Sequence, residues 1–288
     1  MILAQALQQS ARIFSHNGIE DSHLEARVLV QHVLGVSPAQ VHTQTEQALS
    51  QEQVKTLRGL IDRRLRREPA AYIIGHKEFY GVDYCVDSRV LIPRPETELL
   101  VEKGLEYGRS RADYLWSLKR PLLIADVGTG CGAIAISLAL NLPQSRVYAM
   151  DISFSALAVA RLNCEHHCVS EQIRLLQGDL LEPLPEPVDL IVANLPYIRN
   201  SALANLSPEI TDFEPRLAID GGPSGLSQIR RLLQQVEERI CPGGCLLFEI
   251  AHKQHQGVTS LINRYLRKAR PEFMPDLNGV KRVVRVGF

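Results

Sequence analysis

Apolar positions in residues 1–71 recur only at helical spacing. Ser22-His23-Leu24-Glu25 has the form of a capping box, a hydroxyl followed three residues later by a carboxylate, and opens a segment that Gly35 and Pro38 close. Ser50-Gln51-Glu52-Gln53 repeats the device, and behind it Val54, Leu57, Ile61 and Leu65 fall on one stripe that Pro69 ends. Such a helical bundle needs a partner to bury its faces. The pattern changes at Tyr72. Residues 78–86 mix aromatic and β-branched side chains around Gly81, which suggests a hairpin, and residues 72–92 read as a linker between two domains. Pro93-Arg94-Pro95 ends it, and 96–107 reads as a helix. From Pro121 the period becomes β, α, β, α, with strands expected at 122–127, 147–150, 173–177, 190–193 and 245–250 and helices at 133–142, 155–168 and 227–240. A last strand is expected at 280–286. This alternation implies an α/β domain over residues 93–288, a parallel sheet with helices on both faces.

Bulk composition narrows the classes. The 288 residues suffice for one large domain and one small one, and 45% apolar with 22% charged residues leaves little room for long disorder. Lys+Arg and Asp+Glu both number 32, so the net charge is zero, which counts against stable binding to bulk nucleic acid. No apolar run approaches the roughly 20 residues of a membrane span, so no membrane association is expected. Met1-Ile2-Leu3-Ala4-Gln5 lacks a basic region followed by an apolar core, so no signal peptide is expected. Six cysteines without a CxxC pair read as reduced thiols of a cytoplasmic protein.

Chemistry concentrates at the strand ends. Asp126-Val127-Gly128-Thr129-Gly130-Cys131-Gly132-Ala133 sits where a strand gives way to a helix, and glycines there allow a tight turn whose N–H groups can approach an anionic ligand. Asp151 ends the next strand, about 20 residues on, where a carboxylate can hold ribose hydroxyls. Together they imply an adenosine-containing ligand. Gly128, Gly130 and Ala133 also satisfy the dinucleotide pattern, so an NAD-dependent oxidoreductase stands as an alternative from another class. Gln177-Gly178-Asp179-Leu180 ends the third strand, and Asp179 suits an adenine amino group, or a turn or helix cap. Three such strand ends fit one compact nucleoside better than a two-nucleotide cofactor.

Asn194-Leu195-Pro196-Tyr197 follows the fourth strand, where open α/β sheets bind ligands. With the upstream loop and Asp151 it resembles the amino-methyltransferase motif (N/D/S)-P-P-(Y/F/W). An amide or exocyclic amino nitrogen is a poor nucleophile because its lone pair is delocalised. The Asn194 side-chain oxygen and the Leu195 carbonyl can accept its two N–H bonds and turn the lone pair toward a methyl group. Positioning of this kind contributes up to roughly 7–11 kcal/mol. Pro196 biases Leu195 toward an extended conformation, and Tyr197 offers a flat face to a planar group. Without the upstream loop, the motif would read as an ordinary strand-ending turn.

The whole chain resembles the release-factor glutamine methyltransferase family. The resemblance lies in Arg67-Glu68-Pro69-Ala70-Ala71-Tyr72-Ile73-Ile74-Gly75, Leu91-Ile92-Pro93-Arg94-Pro95-Glu96-Thr97-Glu98, residues 126–135, Phe213-Glu214-Pro215-Arg216-Leu217-Ala218-Ile219-Asp220-Gly221-Gly222 and Asp276-Leu277-Asn278-Gly279. It implies a Rossmann-like S-adenosylmethionine-dependent methyltransferase fold, a seven-stranded mostly parallel sheet, with a small all-helical N-terminal domain that recognises a protein substrate. It implies transfer of a methyl group from S-adenosyl-L-methionine to N5 of the glutamine in a Gly-Gly-Gln loop of a peptide chain release factor, leaving S-adenosyl-L-homocysteine. By position, Gly128, Thr129, Gly130, Cys131, Gly132, Asp151, Leu180 and Asn194 would line the cofactor. Asn194, Leu195, Pro196 and Tyr197 would hold the glutamine, and Arg94 and Glu96 would lie near the entrance. A monomer is expected. Two positions depart from the family's pattern. Leu195 replaces the usual proline, giving the form typical of ribosomal RNA adenine dimethyltransferases, and Ala251 replaces a usual glycine. An N6-adenine methyltransferase acting on nucleic acid is therefore the nearest rival. A non-catalytic descendant is disfavoured while Asn194 and Tyr197 are both present.

Two clusters remain. Cys164-Glu165-His166-His167-Cys168 reads as a helix end with incidental thiols rather than a metal site, for want of a second ligand pair. Arg63-Arg64-Leu65-Arg66-Arg67 reads as cations favoured at a helix C-terminus in preference to a partner-docking patch.

Overall fold

The capping box at Ser50 forms. Its hydroxyl accepts the Gln53 N–H at 3.1 Å and Gln53 Oε1 accepts the Ser50 N–H at 2.9 Å. A computed structural model describes residues 1–43, 45–267 and 269–288. Their contacts divide into two units, Met1–His76 with Ser207–Phe213, and Lys77–Leu206 with Glu214–Phe288.

The first unit is helical: α1 (Leu3–His16), α2 (Ser22–Leu34), α3 (Pro38–Thr43), α4 (Gln51–Leu65) and α5 (Ala70–Ile74). Leu3, Phe14, Leu29, Leu57 and Ile61 share its core. The box expected at Ser22 does not form, because Asp21 occupies the cap in the left-handed region and makes no side-chain cap bond. Glu25 reaches instead to the buried Arg64 guanidinium at 2.7 Å, a charge-assisted bond stronger than one to a backbone N–H. The basic cluster is likewise consumed internally. Arg63 pairs with Glu68, while Arg64 and Arg67 both hold Glu209, at 3.0 and 3.2 Å. Glu209 belongs to the short helical turn Pro208–Thr211, which joins this unit from far along the chain. Arg64→Ala leaves Glu25 without its cation and Glu209 with Arg67 alone, and is expected to destabilise the protein by about 1.5–3 kcal/mol, read as a lower midpoint in urea. Arg64→Lys should not restore it, because a point charge cannot fork between two partners.

In the second unit, the hairpin of β1 (His76–Phe79) and β2 (Val82–Cys85) is anchored rather than loose. The Tyr84 hydroxyl meets Ser137 Oγ at 2.8 Å, and Asn163 Oδ1 accepts the Cys85 N–H at 2.8 Å. These partners lie on α7 (Ala133–Asn141) and α8 (Phe154–His166), which follow α6 (Glu98–Ser117). The strands β3 (Leu122–Val127), β4 (Ser145–Asp151), β5 (Ile173–Gln177), β6 (Val188–Ala193), β7 (Ile240–Glu249), β8 (Glu272–Pro275) and β9 (Lys281–Gly287) form one sheet in the order β5-β4-β3-β6-β7-β9-β8. The first five run parallel, and β9 is antiparallel to both its neighbours. β3 and β6 are buried along their whole length, as strands covered on both faces must be. On one face Ile229 and Leu232 of the helix Ser227–Gln235, and Val258 and Ile262 of the helix His255–Tyr265, join Ile191 and Leu246 in one core. No helix among the described residues is long and apolar enough to cross a membrane.

Candidate active site

Strand register brings the predicted site together. Val127 pairs with both Ala193 and Met150, and Asp151 pairs with Gln177. Asn194, Gly128, Asp151 and Gly178 therefore stand in a row at the carboxyl ends of four parallel strands, where the strand order reverses between β3 and β6. With Gly130, Asp179, Leu180, Leu195 and Pro196 they line one cleft, at the place where open α/β sheets bind ligands. Thr129, Cys131, Gly132 and Tyr197 are not among the lining residues. Thr129 turns its hydroxyl to Asp126 at 2.6 Å, Cys131 is buried beneath the loop, and Gly132 caps α7.

The loop's own hydrogen bonds decide what it can hold. Gly128 and Thr129 both donate to the Met150 carbonyl, at 2.8 and 2.9 Å, and Gly132 donates to the Thr129 carbonyl at 2.8 Å. Gly130 donates to Asp151 Oδ2 at 2.9 Å. Burial pushes the Cys131 thiol up to about 12. A pyrophosphate would find the N–H groups of Gly128, Thr129, Gly130 and Gly132 already engaged, which weakens the ground for the dinucleotide reading. The loop serves instead as a close-packed wall. Gly128 has a φ of 74°, and a Cβ there would stand 3.2 Å from Leu195 Cδ2, so only glycine keeps this approach open.

Carboxylates dominate the rest. Asp126 is fully buried and its Oδ2 accepts from the Thr129 hydroxyl and, at 3.1 Å, from the Ala135 N–H. Its Oδ1 has no partner among the described residues, and burial pushes its pKa up to about 7. Asp151 gives its other oxygen to the Ser153 N–H at 2.9 Å, and burial raises its pKa above the usual carboxylate value. Asp179 is ion-paired with Arg231. Of the three, Asp151 and Asp179 line the cleft, together with Arg89 and Arg231, and Asp151 stands at the strand end where a carboxylate can meet ribose hydroxyls.

Asn194 sits in a relay of polar side chains. Its Nδ2 donates to Thr97 Oγ1 at 2.9 Å, Thr97 Oγ1 donates to Glu249 Oε2 at 2.6 Å, and the Tyr197 hydroxyl donates to Glu249 Oε1 at 2.9 Å. Burial raises the pKa of Glu249. Burial, and next the adjacent Glu249 charge, hold the Tyr197 phenol well above its usual range.

Known proteins place the chain. Residues 5–75 match the PrmC N-terminal domain model, and residues 116–211 match the methyltransferase small domain model. The release factor glutamine methyltransferase of Moorella thermoacetica is 40% identical over 283 residues, which span 98% of this chain and 97% of that protein. The chain belongs to the release factor glutamine methyltransferase family. A relative of the same name from Chlorobaculum tepidum is 37% identical, over 97% of this chain and 95% of that protein. The solved hMettl16 catalytic domain, in complex with the MAT2A 3′UTR hairpin 6, is 16% identical. Its TM-score is 0.56, over 79% of this chain and 82% of that one, and it shares the fold.

Two stretches that carry the family resemblance acquire places in this geometry. Arg94 pairs with the buried Glu214 at 2.5 Å, and the following Pro215 lines the cleft. Glu96 lines a separate cleft with Glu98 and Leu99. The Asp220–Gly222 turn lies against the Asn194–Tyr197 motif, with Gly221 donating to the Ile198 carbonyl at 2.8 Å. A Cβ on Gly221 would stand 2.7 Å from Tyr197 Cα and 2.8 Å from the Pro196 carbonyl oxygen. Gly221→Ala must therefore displace the motif's backbone. Turnover is expected to fall by about 10²-fold, while S-adenosylhomocysteine affinity, measured by calorimetry, stays near wild type. Gln254 completes the clamp by donating to the Tyr197 carbonyl at 3.0 Å. Sequence reasoning missed Thr97, Glu249 and Gln254 as site residues. A signal existed for Glu249, a carboxylate at the end of a parallel strand whose register with β6 sets it beside Asn194.

Proposed function

We propose that this chain transfers the methyl group of S-adenosylmethionine to N5 of the glutamine in the Gly-Gly-Gln loop of a peptide chain release factor, leaving S-adenosylhomocysteine. The observation that carries the reading is end-to-end similarity to a protein of that name. The cleft's chemistry agrees with it: a strand-end aspartate that holds the glycine loop, beside an asparagine held at the neighbouring strand end. S-adenosylmethionine supplies an electrophilic methyl group on a sulfonium sulfur.

The chain's own groups do the positioning. Asn194 Oδ1 and the Leu195 carbonyl accept the two N–H bonds of the glutamine amide, which fixes the nitrogen and its lone pair. Leu195 contributes through its backbone, so leucine in place of proline keeps the contact, and Pro196 holds that carbonyl extended. Tyr197 borders the amide with its ring while Glu249 holds its hydroxyl. Asp151 takes the ribose hydroxyls, and Asp179 and Leu180 border the adenine. Gly128 and Gly130 form the wall, which Thr129, Cys131 and Gly132 shape from behind. No strong base is required, because the amide proton becomes acidic once the nitrogen is alkylated, and His252 and His255 take no part. The helical unit recognises the release factor, and the protein acts as a cytoplasmic monomer. Zero net charge disfavours RNA as the partner.

The cofactor half is tested by thermal unfolding. S-adenosylhomocysteine should raise the midpoint and NAD should not; the reverse would sink this reading. The substrate half is tested by mapping peptides of a release factor after incubation, with the added methyl expected on the glutamine.

A further inference from the structure

We infer that Thr97 and Glu249 are positioning residues which set the polarity of the Asn194 amide and so decide which end of it meets the substrate nitrogen. The inference rests on the reading of Asn194 as an acceptor for the glutamine amide. An asparagine side chain has two ends of nearly equal size and opposite chemistry, one oxygen acceptor and one NH₂ donor. A rotation of half a turn would set an NH₂ against the substrate's own NH₂, and the nitrogen would lose its acceptor. Nothing in the shape of asparagine prevents that rotation.

Thr97 prevents it by hydrogen-bond direction. Its hydroxyl carries one hydrogen, and Glu249 Oε2, at 2.6 Å, accepts it. Only lone pairs of Thr97 Oγ1 then face Asn194, so the amide end 2.9 Å away must be Nδ2. The Asn194 oxygen is left on the side opposite Thr97. The second oxygen of Glu249 takes the Tyr197 hydroxyl at 2.9 Å, so one carboxylate orients both polar side chains of the motif. Glu249 is only 1% exposed. Burying a carboxylate is costly unless its oxygens are hydrogen-bonded, and both are. The three residues come from separate elements: Thr97 just ahead of α6, Asn194 after β6 and Glu249 at the end of β7. Polarity of the reaction centre thus depends on contacts 97 and 152 residues apart in sequence.

Thr97→Val keeps the branched shape and removes the hydroxyl, whereas Thr97→Ser keeps the hydroxyl and removes a methyl group. Steady-state methyl transfer to a Gly-Gly-Gln release factor, with S-adenosylhomocysteine affinity alongside, separates polarity from packing. Thr97→Val should lower kcat by about 10²-fold, with KM and cofactor affinity little changed, the pattern of an interaction realised in the transition state. Thr97→Ser should retain most of kcat. Glu249→Gln, whose NH₂ cannot accept from both hydroxyls, should repeat the kcat loss and serves if Thr97→Val fails to fold. A wild-type rate for Thr97→Val, or equal impairment of Thr97→Ser, would overturn the inference. A wild-type protein that leaves the glutamine unmethylated would overturn the functional reading, and the inference with it, which is a separate result from silent Thr97 variants.

Discussion

Asn194→Ala is expected to lower turnover by about 10²–10³-fold, the usual cost of removing one preorganised polar group from a transition state, while the cofactor still binds. The asparagine stands just past the end of β6, beside Gly128 just past β3, because Val127 and Ala193 are paired. Its contribution is directional. A glutamine amide nitrogen shares its lone pair with the carbonyl, and two acceptors on its N–H bonds are what hold it facing a methyl group. Alanine leaves only the Leu195 carbonyl, and the amide can then turn. Asn194→Asp should not rescue turnover, because it lacks the N–H donor that Thr97 Oγ1 accepts at 2.9 Å and sets a second carboxylate near Glu249. Single-turnover transfer measures the rate and calorimetry with S-adenosylhomocysteine measures the affinity. Unchanged turnover in Asn194→Ala would remove the residue from the mechanism.

Asp151→Ala carries the second large effect, and it falls on the cofactor. The carboxylate accepts the Gly130 N–H at 2.9 Å and the Ser153 N–H at 2.9 Å, so it shapes the glycine loop as well as facing ribose. Loss of a charge-assisted bond to the ribose hydroxyls should weaken S-adenosylhomocysteine by about 10- to 100-fold, with a smaller change in KM for the release factor. The pH dependence has a definite sign. Burial raises the Asp151 pKa, so the group protonates at a higher pH than an exposed aspartate and loses acceptor capacity. Cofactor affinity should therefore fall on acidification, beginning above the usual carboxylate range, and that step should vanish in Asp151→Ala. An unaffected affinity would contradict the ribose assignment.

Much of this architecture was legible because it depends on local patterns. Strands Leu122–Val127 and Ile173–Gln177 have the bounds their apolar runs predict, and α7 starts at Ala133, where the glycine loop ends. Elements without a period escaped. β8 (Glu272–Pro275) is a four-residue edge strand with a glutamate at one end and a proline at the other. The helix His255–Tyr265 is not among the elements the apolar pattern predicts. The helix expected at 96–107 runs from Glu98 through Gly108 to Ser117, because a single glycine inside a helix costs only about 1 kcal/mol. At Ser22 the cap falls on Asp21 instead, and Glu25 pairs with Arg64, 39 residues away. Long-range polar pairing was the least visible. Nothing in a linear reading pairs Thr97 with Glu249 or Arg64 with Glu209, 145 residues apart. The glycine loop falls between β3 and α7 as the pattern predicts, whereas the partners of its N–H groups exist only in the folded chain.

The central claim is that the cleft methylates a glutamine in a protein, and transfer of labelled methyl from S-adenosylmethionine tests it most directly. The acceptors are a purified release factor, the same factor with Gly-Gly-Gln changed to Gly-Gly-Ala, and ribosomal RNA, assayed in parallel. Label on the intact factor alone is the predicted result. Label on the RNA alone would contradict it, and would mean that the leucine of Asn194-Leu195-Pro196-Tyr197 had marked an adenine methyltransferase after all.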